Sequence, residues 1–245
     1  MSVQLISAAQ AMAHWERFDA ILDARSEGEY AEDRLPGALN WPSLNNEERI
    51  RVGTLYKQVN PFEAQKVGAA LVAKNIARHI ETQVMDKPKN WQPLVYCWRG
   101  GKRSNSLALI LGQIGFKVHL IEGGYKAFRK EVMQDTPRQA QRLQFRVLCG
   151  PTGSGKTRLL QALTQVGAQV LDLEAIACHR SSVLGLIPGT PQPTQKAFDT
   201  QVWHTLRGFR ADWPVYVEAE SKKVGNLTVP AELMQAMRAS ACLRV

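Results

Sequence analysis

The sequence predicts an α/β protein made of two successive parallel-sheet domains. Three observations carry this: short apolar runs alternate with helix-periodic stretches, a polar segment interrupts the alternation near residue 140, and a glycine-rich loop follows a strand in the second alternation. A chain of 245 residues suits two ordinary domains, and 44% hydrophobic with 22% charged residues excludes wholesale disorder and low-complexity architecture. No window approaches the ~18 apolar residues of a membrane span, and the first residues lack a basic, then apolar, leader. The expectation is a cytoplasmic protein with no membrane partner.

Val3 to Ile6 reads as a strand, Ser7 as a helix cap, and Ala20 to Asp23 as a buried strand. A turn-rich stretch is expected from Arg25 to Asn60. Asn60 and Pro61 then start a helix, in which Val67, Ala70, Leu71, Ala77 and Ile80 recur at helical spacing to about Ile80. Leu94 to Cys97 reads as a strand, Leu107, Ile110, Leu111 and Ile114 as a helical stripe closed by Gly115, and Val118 to Ile121 as another strand. Gly123 and Gly124 supply a turn before a helix from Tyr125 to Met133. The first domain is thereby expected over residues 1–135.

Residues 136–143 are polar and read as a linker, which leaves 144–245 for the second domain. There, Phe145 to Cys149, Val170 to Leu173 and Val215 to Val217 read as strands, and Thr157 to Val166, Thr194 to Arg207 and Ala231 to Met237 as helices. Ala241 to Val245 looks like a strand just begun, so the expectation is a domain cut short at its C-terminus. Cysteines 97, 149, 178 and 242 are too scattered for a disulfide framework and read as free thiols. None has metal-ligand spacing, so no structural metal is expected.

Gly150-Pro151-Thr152-Gly153-Ser154-Gly155-Lys156-Thr157 satisfies G-x-x-x-x-G-K-[ST] between a strand and a helix. In that setting backbone N–H groups turn onto phosphate oxygens, the helix start adds positive dipole, Lys156 a point charge, and Thr157 a hydroxyl for Mg²⁺. The motif reports phosphate binding without naming the ligand. After the strand near Val217, Glu218 and Glu220 stand where carboxylates could hold the metal or its waters.

Cys97 is followed by Trp98, Arg99, two glycines, Lys102, Arg103 and Ser104. Three cations, backbone N–H groups and a helix start all favour thiolate over thiol, which points to a nucleophile with Arg99 and Arg103 beside it. Such a cradle can hold a phosphate ester or a transferable sulfur or selenium. Cys97 and Arg103 also have the C-x-x-x-x-x-R spacing of cysteine phosphatases, although Tyr96 stands where those loops usually have His. The chain carries 31 Lys and Arg against 22 Asp and Glu, a net +9 that favours a polyanionic partner. Trp98 could stack on a base, and Lys102, Lys126, Arg129 and Lys130 could meet nucleic-acid phosphates.

These residues resemble the tRNA 2-selenouridine synthases, in which a rhodanese-like domain precedes a P-loop domain. Asp23-Ala24-Arg25-Ser26 with Pro36-Gly37-Ala38 looks like a rhodanese entry, and Glu122 to Ala127 like its closing turn. Asn40 to Lys57, the Cys97 to Ser104 loop upstream of a P-loop, and a C-terminal set single out the family. That set comprises Asp172-Leu173-Glu174, His179-Arg180, Pro191 to Gln195 and Glu218 to Ser221.

The resemblance covers essentially the whole chain. It implies replacement of the sulfur of wobble 2-thiouridine in tRNA by selenium from selenophosphate, through an S-geranylated intermediate made from geranyl diphosphate. It further implies that Asp172, Glu174, His179, Arg180, Glu218 and Glu220 surround Mg²⁺ or the diphosphate, and that a selenophosphate-supplying enzyme is a partner. The alternative is a rhodanese-type sulfurtransferase or cysteine phosphatase domain fused to a regulatory P-loop ATPase.

Overall fold

The computed structural model describes residues 3–151, 153–180 and 185–245, in two compact units, residues 1–131 and 132–245. Thr152 of the glycine-rich loop lies outside the described residues.

The first unit runs β1 (Val3–Ile6), α1 (Ala8–Ala13), β2 (Ala20–Asp23), α2 (Glu27–Glu32), β3 (Ala38–Asn40), α3 (Asn46–Gln58), α4 (Pro61–Gln83), β4 (Pro93–Tyr96), α5 (Lys102–Ile114) and β5 (Val118–Ile121). The next helix, α6 (Gly124–Arg142), contains the division between the units. The five strands form one parallel sheet in the order β1-β5-β4-β2-β3. Leu22, Val95, Leu107, Leu111, Phe116 and Leu120 make its core.

Local chemistry sets the helix ends. Asn60 accepts the Glu63 N–H at 2.8 Å and Pro61 occupies the first turn of α4, where its missing N–H costs nothing. Gly115 ends α5 at φ +118°, a conformation that favours glycine.

The second unit continues with β6 (Gln144–Cys149), α7 (Lys156–Gln165), β7 (Gln169–Leu171), α8 (Leu173–Ile176), α9 (Gln195–Gly208), β8 (Pro214–Glu218), β9 (Lys223–Val224), β10 (Leu227–Thr228), α10 (Ala231–Arg238) and β11 (Ala241–Arg244). Strands β11-β6-β8-β7 pair in parallel, and β9 and β10 form a small hairpin. Phe145, Leu171, Phe198, Val202, Val215 and Leu233 fill the core.

Three expectations are corrected. The stretch from Arg25 to Asn60 is not merely turns, since it holds α2, β3 and α3. Residues 136–143 are not a loop linker: 136–142 continue α6, with Val132, Thr136, Ala140 and Leu143 buried and the Thr136 hydroxyl donating to the Val132 carbonyl at 2.7 Å. Finally, Cys149 and Cys242 are joined as a disulfide, because β6 and β11 are neighbours and bring their Cα atoms to 6.0 Å. A sequence separation of 93 hides that adjacency. Cys97 and Cys178 are free.

Candidate functional site

In parallel sheets, ligands are met at the carboxyl ends of the strands, and both candidate sites lie there. In the first unit β4 delivers Cys97, buried at 3% exposure, at the entrance to α5. Its Sγ accepts from the Gly101 N–H at 3.3 Å and the Ser104 hydroxyl at 3.0 Å. Both donors fix the position of the sulfur, which in turn donates to the Gly101 carbonyl at 3.8 Å. A pocket of about 410 Å³ opens over the sulfur, lined by Cys97, Trp98, Arg99, Gly101, Lys102 and Arg103.

The loop is held from below. The Tyr125 N–H donates to the Cys97 carbonyl at 2.8 Å, and the Tyr125 ring stacks on Trp98 at 5.3 Å. A Cβ on Gly124, at φ +55°, would run into that same carbonyl, so glycine is required there. Beneath lies a buried polar network. Arg25 pairs with Asp23 at 2.6 Å, donates to the Asp33 carbonyl at 2.7 Å and lies 4.1 Å over the Tyr125 ring. The Tyr96 hydroxyl donates to Asp23 at 2.6 Å and the Tyr125 hydroxyl to Asp33 at 2.8 Å. Burial, followed by the neighbouring carboxylate, pushes both phenol pKa values well upward, so both remain donors at neutral pH.

The expected cations divide. Arg99 and Lys102 are exposed at the pocket, while Arg103 is committed to Glu29 through two hydrogen bonds at 2.7 and 3.3 Å. Lys126 and Lys130 are exposed, whereas Arg129 lies 3.9 Å from Asp33 with its side chain 14% exposed. Sequence reasoning did not single out Glu29 or Asp33, and it named Ser104, Tyr96 and Tyr125 only as members of the loop, its flank and the closing turn, without a role. The close Asp23 and Arg25 spacing was the available signal for the buried pair.

In the second unit β6 leads into the glycine-rich loop, and Gly155, at φ +92°, caps α7. Lys156 Nζ donates to the carbonyls of Gly150 at 3.1 Å and Pro151 at 2.9 Å, and lies 3.5 Å from Glu218 at the end of β8. The Thr157 hydroxyl donates to the other Glu218 oxygen at 3.2 Å. Glu174, Glu218 and Glu220 bring carboxylate oxygens within 4.8 Å of one another. Burial and the like charge of Glu174 raise the Glu218 pKa against the opposing pull of Thr157 and Lys156. Ser154 Oγ is buried and has no hydrogen-bond partner among the described residues.

Other expected ligands take structural parts. Asp172 caps α8 by accepting the Ala175 N–H at 2.8 Å. Among the described residues the ring Nδ1 of His179 is buried without a partner, and Arg180 is exposed with its backbone N–H donating to the Gly185 carbonyl at 2.8 Å. In the Pro191 to Gln195 run, Gln192 donates to the carbonyls of Ala177 and Val224, both at 3.1 Å, and accepts from the Asn226 N–H at 2.9 Å. Gln195 donates to the Thr228 carbonyl at 2.9 Å and accepts the Thr228 N–H at 2.8 Å.

The comparisons agree with this division. Residues 6–131 match the rhodanese-like domain, and residues 143–245 match the tRNA 2-selenouridine synthase AAA domain. A tRNA 2-selenouridine synthase of Nitrosomonas eutropha is 37% identical over 224 residues, 90% of this chain and 57% of that protein. One from Marinobacter nauticus is 35% identical over 91% of this chain and 60% of its own length. One from Bdellovibrio bacteriovorus is 31% identical over 98% and 64%. The chain thus spans about three fifths of the length of the curated relatives it matches. Among the described residues no helix is long and apolar enough to cross a membrane. With its five-stranded parallel sheet and cysteine loop, the chain belongs to the rhodanese-like family, and it joins that domain to a P-loop domain of the tRNA 2-selenouridine synthase AAA type.

Proposed function

We propose that this chain serves in a cytoplasmic tRNA-modifying transferase that converts wobble 2-thiouridine to 2-selenouridine. The observation that carries the reading is one chain holding both a thiol cradled by N–H and hydroxyl donors under cations and a P-loop faced by acidic side chains. Its likeness to tRNA 2-selenouridine synthases supports it.

In the first step the thiocarbonyl sulfur attacks C1 of geranyl diphosphate, so a C–S bond forms, a C–O bond breaks and diphosphate leaves. Lys156, Thr157 and the loop N–H groups would receive that diphosphate. The paired fit of Thr157 and Glu218, beside Glu174 and Glu220, suits Mg²⁺, which would neutralise charge on the leaving diphosphate. In the second step the selenium of selenophosphate attacks C2 of the base and the alkyl thiolate departs. Water then cleaves the P–Se bond to give phosphate. Cys97 is assigned to the chalcogen end of this exchange, with Arg99 and Lys102 meeting the selenophosphate anion. A selenophosphate-forming enzyme would supply that anion.

The phosphatase alternative asks Arg103 to clasp a phosphate ester, yet its guanidinium is held by Glu29. The test is mass spectrometry of tRNA nucleosides from a strain lacking the gene and rescued with this protein. Selenouridine should be restored by the native protein, lost with Cys97→Ala, and geranylated thiouridine lost with Lys156→Ala. Restoration by Cys97→Ala, or geranylation by Lys156→Ala at normal levels, would overturn the assignment.

A further inference from the structure

Arg103 is fastened at both ends. Its guanidinium closes on Glu29 through two hydrogen bonds, and its carbonyl accepts the hydroxyl of the fully buried Ser43 at 3.1 Å. Glu29 is itself pinned. The Ser26 N–H and hydroxyl both donate to its Oε2 at 3.2 Å, and Arg49 of α3 approaches the same oxygen at 3.3 Å. The starts of α2 and α3 are also cross-bonded: the Asn46 N–H donates to Glu27 at 3.0 Å, and the Gly28 N–H to the Asn46 side-chain oxygen at 2.9 Å. Ser43, Asn46 and Arg49 all belong to the Asn40 to Lys57 segment, so that segment fixes where the Arg103 fork points. With Glu29 11% and Arg103 21% exposed, the pair is largely shut off from water, and trading one partner for a solvated anion is costly.

The consequence falls on the pocket over Cys97. Arg103 borders that pocket, six residues after the thiol, and a free Arg there would grip a tetrahedral oxyanion with two parallel N–H bonds. Because its fork is taken by Glu29, an anion in the pocket meets the exposed Arg99 and Lys102 instead, and contacts made in water hold it only weakly. We propose that Glu29 sets the anion selectivity of the Cys97 loop: by holding Arg103 it keeps the loop from clasping phosphate. The phosphate formed in each exchange then leaves readily, and phosphate esters are not retained. The inference rests on the reading of that loop as the place where selenophosphate is met. Glu29 touches no reacting atom and acts through Arg103, as a positioning residue.

The test is protection of Cys97 from iodoacetamide by inorganic phosphate in the 245-residue chain, read by mass spectrometry of the Cys97 peptide. Glu29→Gln keeps an acceptor for Ser26 and removes the charge that holds Arg103. Half-protection should then come at a phosphate concentration at least about tenfold lower than in the native protein. Adding Arg103→Gln to that variant should return the native value. Arg103→Gln alone keeps a donor for Glu29 and leaves Arg49 beside it, so it should stay within about twofold of the native value. A merely structural part for Glu29 gives the opposite sign, since a loosened loop binds phosphate no better. Unchanged protection in Glu29→Gln, a gain that survives the loss of Arg103, or weakened protection in Arg103→Gln alone would overturn the assignment. The last of these decides the point even if Glu29→Gln does not fold. Selenation of tRNA by the native protein with no gain in Glu29→Gln sinks the assignment and leaves the functional reading standing. The expected gain in a protein that modifies no tRNA upholds the assignment and removes that reading.

Discussion

Arg103 closes on Glu29 with both prongs of its guanidinium, Nη1 to Oε2 at 2.7 Å and Nη2 to Oε1 at 3.3 Å. Burial alone would raise the Glu29 pKa, but the Arg103 hydrogen bonds and charge, with help from Ser26 and Arg49, hold it below its ordinary 4.5. A carboxylate held low in the folded state stabilises above its unfolded value and ceases to do so as pH falls through the folded one. Glu29→Gln should therefore cost about 1–2 kcal/mol at pH 7 and progressively less below pH ~4.5. Urea unfolding at pH 7 and pH 3 checks both size and sign. An equal loss at the two pH values would show that packing, not the ion pair, matters.

Ser104 sits 3.0 Å from Cys97 Sγ and is fully buried. Its hydroxyl donates to the sulfur and fixes its position, so Ser104→Ala should slow alkylation of Cys97 by iodoacetamide roughly three- to tenfold at neutral pH. Circular dichroism should show an unchanged fold. Faster alkylation would mean that the hydroxyl shields the sulfur instead of orienting it.

The raised pKa of Glu218 gives the second unit its own pH signature. The folded state holds this proton more tightly than the unfolded chain, so its contribution is present below the ordinary 4.5 and is lost as pH rises through the raised value. Glu218→Gln should raise Tm at pH 7, with the gap closing towards pH 4. Magnesium needs the carboxylate, so a magnesium-dependent rise in native Tm should grow with pH and vanish in the variant. Calorimetric scans with and without Mg²⁺ decide it.

Salt dependence separates the outer cations. Lys126 and Lys130 are exposed and can meet phosphates, whereas Arg129 is turned towards the buried Asp33. Lys126→Ala and Lys130→Ala should each flatten the log–log salt slope of tRNA binding by about 0.7–0.9. Arg129→Ala should lower Tm and leave the slope alone. Filter binding across a salt series distinguishes the two behaviours.

Much of the fold is legible because strands such as Val118–Ile121 are short, mostly apolar and wholly buried runs between turn residues. The region before Asn60 resists reading for a physical reason: α3 buries no residue fully, and β3 is only three residues long. The C-terminal half of α6 hides its buried stripe because Thr136 interrupts the apolar pattern and Pro137 argues against a helix. At the site, the motifs located Cys97 and Lys156. They did not reveal that Arg103 has a carboxylate partner, or that Asp172 serves as a helix cap, since both depend on contacts set by tertiary structure.

Gln192 and Gln195 each offer the hairpin of β9 and β10 one donor and one acceptor, as a neighbouring strand's peptide groups would. The Pro191 to Gln195 segment is thus a side-chain imitation of a β-ladder. Its chemical requirement is an amide and not merely a polar residue: deamidation of either glutamine would set a carboxylate against a backbone carbonyl, two acceptors with no proton between them. Ageing by deamidation would consequently undo the hairpin from the side chains inward, with no backbone bond broken.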